Sequence, residues 1–273
     1  ELTEYRIDEI GKVVGGGTPS SSVEEFWNGE VPWVTPNDLA KYSYRYISKG
    51  ERNISQLGME KSSAKLHPKN TVLMTSRAPI GYLAIASYPI CTNQGFQGII
   101  CDQEKAFPEF IYYLLKLHKQ GLEGFASGAT FMEISNKKVK CYKLKLPSLP
   151  TQKKIASILS AYDDLIENNL KRIKLLEELA QITYEEWFAK VEGVPKGWEE
   201  VNLGSFVGHE IGGGWGEEME NTDFCKPAYV IRGTDIDQLP NGKIEKVPFR
   251  YHKKSNLSSR KLQDGDIVFE VSG

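Results

Sequence analysis

The feature that most constrains this chain is an internal repeat: short motifs near its amino terminus recur, in degenerate form, about 195 residues later. The landmarks keep a spacing of 193 to 197 positions, as in the pairs Ile10 and Leu203, Asp38 and Asp235, and Lys65 and Lys261. Unrelated landmarks have no reason to keep one spacing, so the repeat predicts two similar units. The alternative is that glycine-rich turns and Val/Ile strands recur by chance.

The repeat also predicts where the chain divides. We expect a first domain over residues 1–149, a long spacer helix over 150–192 and the amino-terminal part of a second, similar domain over 193–273. The last residues follow a strand-like run with no closing helix, so the second domain is expected to be incomplete. The predicted fold class is α+β: a mixed α/β domain with long loops, a long coiled-coil-forming helix, and the first half of a second such domain.

Composition is that of an ordinary globular protein, with 40% hydrophobic and 26% charged residues and a mean hydropathy of -0.40. No apolar run approaches the roughly 20 residues of a membrane span, and no signal peptide opens the chain. We therefore expect a cytoplasmic protein. The four cysteines (Cys91, Cys101, Cys141 and Cys225) lack paired ligand spacing. Buried thiols are expected, rather than a zinc site or disulfides.

The net charge of -2 argues against nucleic-acid binding, but it hides a local pattern. Residues 31–81 hold eight basic and three acidic side chains, and the matching stretch 226–263 holds nine and three. Lysine and arginine supply duplex affinity by displacing counterions. The recurrence of the surplus in both units favours nucleic-acid binding, although a solvated charged face is the common cause of such a run.

Residue patterns predict several regular elements in the first domain. Branched and aromatic runs predict strands over 72–76, 82–87, 95–101 and 139–146. A short helix is expected near residues 55–66. A second is expected from Pro108 to about Gly121, because proline suits a first turn and glycine suits a helix end.

The spacer segment predicts a continuous helix from about residue 151 to 190, with Thr151 as its N-cap. Apolar positions recur at steps of three or four over more than four heptads, which is typical of a coiled-coil seam. The expected pairing residues are Ile155, Ile158, Tyr162, Leu165, Asn169, Ile173, Leu176 and Leu179. Asn169 is a seam polar residue of the kind that fixes register. The alternative is an amphipathic helix packed on its own domain.

No motif in the chain indicates catalysis. The glycine run Gly15–Gly17 lacks the Gly-Lys-Ser/Thr of a phosphate-binding loop, and no His-Glu-x-x-His or Gly-x-Ser-x-Gly occurs. The four histidines are isolated from one another in sequence. A binding module is favoured over an enzyme, and neither a metal nor a bound cofactor is expected.

The stretch from Leu146 to Ala156, with its Pro-x-x-Pro-x-Gln entry into the helix, resembles the central helix of specificity subunits of type I restriction-modification systems. The runs Trp33–Leu39 and Ser127–Ser135 resemble a target recognition domain of that family. The resemblance implies two such domains, each reading half of a split site in double-stranded DNA, held apart by two antiparallel helices whose length sets the unread gap.

The same resemblance implies the partners. A specificity subunit is non-catalytic and docks two methyltransferase (modification) subunits, which bind S-adenosylmethionine, and through them the restriction subunits. Against this pattern, the second helix and the rest of the second domain are expected to be missing from this chain. One alternative is therefore a truncated scaffold or half-subunit that pairs through its helix with a second copy. Another is a fused enzyme whose catalytic part lies beyond Gly273.

The residues that contact DNA follow from side-chain chemistry, because forked donors and acceptors read bases and basic groups bind phosphates. The expected base contacts are Thr35, Asn37, Arg77, Asn93, Gln94 and Thr130. The expected phosphate contacts are Lys41, Arg45, Lys65, Lys137 and Lys138. Turn chemistry is the alternative for Asn37, Asn93 and Gln94, and solvation is the alternative for the last two lysines. Trp33 is expected in the core.

Overall fold

The computed structural model describes residues 1–40, 42–77, 79–127, 132–190, 193–236, 239 and 244–270. The chain separates into two compact units, the first ending at Ala189 and the second beginning at Lys190. The long spacer helix therefore belongs to the first unit.

The first unit contains ten strands and seven α-helices among its described residues. The strands are β1 (Thr3–Arg6), β2 (Gly11–Gly15), β3 (Trp27–Val34), β4 (Tyr46–Ile47), β5 (Arg52–Ile54), β6 (Val72–Thr75), β7 (Leu83–Ala86), β8 (Cys91–Thr92), β9 (Phe96–Cys101) and β10 (Lys143–Leu146). The helices are α1 (Ile7–Ile10), α2 (Pro36–Ala40), α3 (Gln56–Glu60), α4 (Pro108–Leu117), α5 (Lys119–Phe125), α6 (Asn136–Cys141) and α7 (Leu149–Tyr184). A 3-10 turn (Glu24–Phe26) precedes β3, and a π-helical turn (Glu185–Ala189) follows α7.

A five-stranded sheet of order β2-β9-β6-β7-β4 organises the first unit. Its pairs are antiparallel except β4 with β7. The central strand β6 is buried at every position. Val72 and Met74 join one apolar cluster with Phe110 and Leu115 of α4, whereas Leu73 joins another with Phe96. Because alternate residues of a strand point to opposite faces, both faces of this sheet are packed.

Two smaller sheets complete the first unit. One has the order β5-β3-β8, and the other pairs β1 with β10 in an antiparallel ladder. Trp33 on β3 is 4% exposed and packs edge-on against Trp27, with their ring centroids 5.2 Å apart. Its prediction as a core residue is confirmed.

Sequence patterns located the central strands, and the prediction of one terminal strand was partly wrong. Residues 139–141, expected in a strand, form the end of α6 because Ser135 caps this helix by accepting a hydrogen bond from the Lys138 amide. The strand itself begins only at Lys143. The helix expected near 55–66 ends at Glu60, and the one expected to end near Gly121 stops at Leu117, where α5 takes over.

The entry into α7 depends on Gln152 rather than on Thr151. The helix begins at Leu149 with Ser148 at its N-cap position, so Thr151 lies within the first turn. Gln152 is 1% exposed; its side-chain oxygen accepts from the Phe107 amide at 3.0 Å. Its nitrogen donates to the carbonyls of Lys105 and Pro147, at 2.9 and 3.0 Å. A fully hydrogen-bonded buried amide thus fastens the helix to the loop before α4.

The cysteines divide into two pairs with different surroundings. Cys91 and Cys101 are buried, and burial raises their pKa values to about 11 and about 12. Cys141 and Cys225 are exposed, so the expectation of a buried thiol is wrong for these two. All four are free thiols.

The second unit contains two strands and two α-helices among its described residues. It contains a 3-10 turn (Leu203–Ser205), strand β11 (Lys226–Tyr229), helix α8 (Gly233–Ile236), strand β12 (Phe249–His252) and helix α9 (Lys254–Arg260). Strands β11 and β12 pair antiparallel, as β3 and β5 do. In both units a short helix follows the first strand of the pair and another helix follows the second strand, but in the first unit β4 also lies between α2 and β5. The repeat therefore stays a prediction from the sequence.

Candidate nucleic-acid interface

The glycine run Gly15–Gly17 lies between loops 62–65 and 92–95 of the first unit. We use the word rim for these three segments together with Arg77 and the start of α2. A Cβ atom at Gly16 would lie 2.1 Å from the Asn93 carbonyl oxygen, and one at Gly17 would lie 2.3 Å from the Ser63 carbonyl carbon. The Gly17 amide donates to the Thr92 carbonyl at 2.8 Å. Side chains are excluded here by backbone on both sides, so the glycines hold loops 62–65 and 92–95 together.

The loop that begins at Asn93 combines turn chemistry with an exposed amide. The Asn93 side-chain oxygen accepts from the Gly95 amide at 2.8 Å, and its backbone amide donates to the Val34 carbonyl. The structure thus gives Asn93 the turn role that was its alternative. Gln94 is exposed, and its side-chain oxygen accepts from the Thr18 hydroxyl. Its amide nitrogen has no hydrogen-bond partner in the described part of the chain.

Asp38 organises the neighbouring loop, and Thr35 is one of its donors. The amide and the hydroxyl of Thr35 both donate to Asp38 Oδ2 at 2.7 Å, and the Glu51 amide donates to Oδ1 at 2.8 Å. The Thr35 hydroxyl hydrogen is therefore committed to the start of α2. Asn37, in the first turn of that helix, is exposed.

Arg77 is a base-contact candidate whose guanidinium, like the Asn37 side chain, has no hydrogen-bond partner among the described residues. It is half-buried beside Gly95, where an added Cβ would lie 3.5 Å from Arg77 Nε and 2.9 Å from Pro36 Cγ. Its backbone bridges Glu133. Among the residues that the structure describes, no side chain or carbonyl accepts a hydrogen bond from its guanidinium. The rim thus brings Arg77 together with the Asn93–Gly95 loop and the start of α2.

The phosphate-contact candidates have different surroundings. Lys65 is exposed and follows Ala64, whose amide lies against Gly17; Lys137 is exposed in the first turn of α6. Lys138 instead donates to the Phe125 carbonyl at 2.8 Å and lies over the Phe125 ring, which ties α6 to α5. Lys41 and Thr130 lie outside the described residues.

Arg45 does not present its charge at the surface. Its side chain is 8% exposed, and its guanidinium bonds Asp164 at 2.7 Å and lies 3.7 Å from Asp163. Burial opposes its charge, but the hydrogen bonds to Asp164 and Tyr113 raise its pKa overall. A guanidinium paired in this way is not free for a phosphate, so the structure reassigns Arg45 from DNA contact to the attachment of α7.

A second surface lies along α7. The predicted pairing residues are all exposed. The seven apolar ones range from Ile155 at 37% to Tyr162 at 65%, with Leu165 at 58% and Leu176 at 62%. The helix packs on α4 with another side, which carries Gln152, Ala156 and Asp163. The alternative of a stripe packed on its own domain is therefore wrong. A helical partner for the stripe stays a prediction.

The comparisons with known proteins decide the family. Residues 1–178 match the family described as the type I restriction modification DNA specificity domain. The chain belongs to this family. It is 39% identical over 290 residues to the type I restriction enzyme MjaIX specificity subunit of Methanocaldococcus jannaschii, covering 98% of this chain and 65% of that subunit. It is 29% identical to the EcoR124I/EcoR124II specificity subunit of Escherichia coli, covering 72% and 49%.

The fold agrees with this family. A crystal structure of a type I restriction-modification S subunit from M. genitalium superposes with a TM-score of 0.52 at 22% identity. The match covers 70% of this chain and 47% of that one. The mixed α/β class with a long helix is thereby confirmed. The chain spans about half to two thirds of the length of the specificity subunits that it matches.

The second unit of this specificity-domain chain holds an ion pair, between Arg232 and Asp235, that sequence analysis did not include among the candidate site residues. Asp235 accepts from the Arg232 amide at 3.0 Å, as Asp38 accepts from Thr35. The Arg232 guanidinium also grips Asp235, through Nε at 2.9 Å and an Nη at 2.8 Å, and this lowers the pKa of Asp235. The repeat spacing from Asp38 to Asp235 was the signal that pointed to this corner.

The described ranges contain neither a candidate metal site nor a candidate membrane-spanning helix. There, no three His, Cys, Asp or Glu side chains are placed to hold a metal ion. No helix in this part of the chain is both long and apolar enough to cross a membrane.

His67 is buried against Thr92 of the rim, and its lowered pKa predicts that the free energy of unfolding depends on pH. It is fully buried, with Nε2 3.2 Å from the Thr92 hydroxyl, and burial lowers its pKa from 6.5 to about 4. The unfolded chain binds the proton first, so stability from the neutral ring is present above pH 6.5 and is lost as pH falls towards 4. We expect a loss of about 2 kcal/mol between pH 6.5 and 4.5 from this residue.

Urea denaturation at the two pH values measures this loss. His67→Asn removes the buried imidazole, so the variant should lose about 2 kcal/mol less than the wild type over the same interval. His209→Gln, at an exposed histidine, is the control and should follow the wild type. Equal pH dependence in wild type and His67→Asn would contradict the assignment.

Proposed function

We propose that this chain is the DNA-recognition subunit of a type I restriction-modification complex, with the rim of the first unit reading one half of a bipartite site. The observation that carries this proposal is the position of the Arg77 guanidinium beside the loop of Gln94, in a chain that belongs to the DNA specificity family. No residue that the structure describes accepts a hydrogen bond from this guanidinium. Arginine reads guanine, and glutamine reads adenine, through paired hydrogen bonds in the major groove.

The chemistry of restriction and modification belongs, in this proposal, to other subunits. The chain itself is non-catalytic and docks methyltransferase subunits, which bind S-adenosylmethionine, and through them the restriction subunits, in the cytoplasm. The exposed stripe of α7 supplies an assembly surface. A second candidate function, favoured by that same stripe, is a half-subunit that pairs with another copy of itself and reads a palindromic site.

The methylation pattern of DNA from cells that express the chain with its methyltransferase subunit tests the proposal. Single-molecule sequencing should show a split motif; a palindromic motif would favour two paired copies. A stable complex that methylates no motif would contradict DNA reading.

Binding of the assembled complex to its motif tests the rim. Arg77→Ala should weaken specific binding roughly tenfold to a hundredfold, because a well-formed arginine–base pair contributes about 1–3 kcal/mol of discrimination. Lys65→Ala should weaken specific and non-specific binding alike and reduce the salt slope by about 1. Fluorescence anisotropy on matched and scrambled duplexes measures both.

The control is Lys145→Ala, an exposed lysine on β10 outside the rim, which should bind like the wild type. If Arg77→Ala and Lys145→Ala bound the motif equally well, the rim would not be the reading surface. If Lys65→Ala kept the wild-type salt slope, Lys65 would contact no phosphate.

A further inference from the structure

The spacer helix is attached to the first domain over only part of its length. Its amino-terminal half packs on α4, and Gln152 fastens its first turn. Every residue from 168 to 184 is exposed. The last hydrogen bonds and ion pairs between the helix and the rest of the domain, among the described residues, come from Ser160, Asp163, Asp164 and Glu167, which contact Arg45 or Tyr113. One turn further on, Lys171 lies over the Tyr44 ring, with its Nζ 5.9 Å from the ring centroid.

Arg45 contacts four groups of the helix within two turns. Its guanidinium donates to Asp164 Oδ1 at 2.7 Å and to the Ser160 carbonyl at 3.3 Å, and it lies 3.7 Å from Asp163. Its backbone amide donates to Glu167 Oε1 at 3.1 Å. A planar fork that satisfies several acceptors at once allows one relative placement, whereas an apolar contact tolerates sliding.

The other side of the cluster belongs to the sheet and to α4. The Arg45 carbonyl accepts from the Ile85 amide at 2.9 Å, which joins the residue to β7 of the five-stranded sheet. Tyr113 of α4 accepts from the Arg45 guanidinium at 3.2 Å and donates to Asp163 at 2.7 Å. Burial and this bond to Asp163 raise the pKa of Tyr113, so its hydroxyl keeps the proton that it donates. Sheet, α4 and α7 therefore meet at one ionic cluster.

We infer that the cluster of Arg45, Tyr113, Asp163 and Asp164 is the joint that fixes the direction and rotation at which α7 leaves the first domain, and that it thereby restricts the gap between the two half-sites. This inference rests on the proposed function, in which the helix holds two reading units apart. Arg45 is a positioning residue in this account and touches no DNA.

Because the exposed part of the helix is long, a small change of angle at the joint moves the far end of the helix by a large distance. From Glu167 to Tyr184 the helix extends about 25 Å, at about 1.5 Å per residue. A change of about 10° at the joint moves the far end by about 4 Å, which exceeds the roughly 3.4 Å step between adjacent base pairs. A joint looser than that no longer distinguishes a gap from one that is a single base pair longer or shorter.

Gap selectivity of the full chain, in complex with its methyltransferase subunit, tests the joint. Methylation is measured on duplexes that carry both half-sites with the native gap and with gaps one or two base pairs longer or shorter. We expect Arg45→Met, which keeps an unbranched side chain and removes the fork, to reduce the preference for the native gap at least tenfold. Tyr113→Phe and Asp164→Asn, which each remove less of the cluster, should reduce it in the same direction.

Lys174→Met is the matched control, because it breaks an exposed pair with Glu178 on the same helix and should keep the native preference. If the variants methylate more slowly at all gaps with unchanged preference, the cluster is merely structural and the inference is overturned. If Arg45→Met does not fold, Tyr113→Phe and Asp164→Asn decide by the same criterion. A wild-type complex that methylates no split motif overturns the proposed function itself, before any variant is compared.

Discussion

Replacing Gly16 with alanine is expected to destabilise the first unit by about 3 kcal/mol and to abolish specific DNA binding. The added Cβ would lie 2.1 Å from the Asn93 carbonyl oxygen and 2.3 Å from the Thr92 hydroxyl. Neither the backbone nor the short Thr92 side chain can shift away from the new Cβ without a large cost in free energy. The loop that carries Gln94 must therefore move. Urea denaturation followed by tryptophan fluorescence measures the loss, because Trp33 donates to the Gly17 carbonyl and reports on this loop.

Gly124→Ala provides the matched control for this substitution. Gly124 lies in α5 of the same unit, and a Cβ there would meet no atom within 4 Å. Alanine in an open helical position should stabilise the unit by about 0.5–1 kcal/mol, because it lowers the entropy of the unfolded chain. Equal effects of the two substitutions would mean that the packing of loop 92–95 against Gly16 does not hold the rim.

Local sequence patterns correctly predicted those elements of the first unit that depend only on nearby residues. The strand at Val72 and the core position of Trp33 follow from apolar runs and are confirmed. The pattern at Val139 failed because the cap at Ser135 favours a helix over residues that the apolar pattern had assigned to a strand. Short-range capping therefore overrode strand propensity at one boundary.

Candidate site residues were predicted less completely, because their roles depend on distant partners. Arg45 and Asp164 are 119 residues apart, and no periodicity connects them. The one available signal was the acidic group Asp163, Asp164 and Glu167, which lies near the middle of a helix whose apolar stripe is on another side. Lys138 likewise pairs with a carbonyl that only the folded chain brings near. A surplus of basic residues therefore predicts a binding region but does not predict which of its residues bind.

In the proposed function, the rim and the helix attachment have different roles. The rim is built by backbone contacts around glycines, so its side chains can vary without loss of the loop framework. The joint at Arg45 and the fastening at Gln152 fix the helix to that framework. Variation at exposed rim positions should thus change the recognised bases, while the helix attachment stays constant.

Placing lysines at both Leu165 and Leu176 is expected to weaken assembly through α7 about a thousandfold. Both side chains lie on the exposed stripe, at 58% and 62% exposure, on either side of Asn169. Burying each leucine against a partner contributes about 1.5–3 kcal/mol. Losing both, and introducing two charges into an apolar seam, amounts to about 4 kcal/mol or more, which corresponds to that factor. Analytical ultracentrifugation of the chain with its methyltransferase subunit measures the change.

The fold of the isolated chain should survive this double substitution, because exposed leucines contribute little to its packing. Circular dichroism should therefore show the same helix content as the wild type. Gln181→Lys adds the same side chain about 140° around the helix from Leu176, at the 100° turned per residue, and should assemble normally. Normal assembly of the double variant would show that the stripe is not the contact surface. Loss of assembly in Gln181→Lys as well would indicate that charge anywhere on the helix, and not burial of the stripe, controls association.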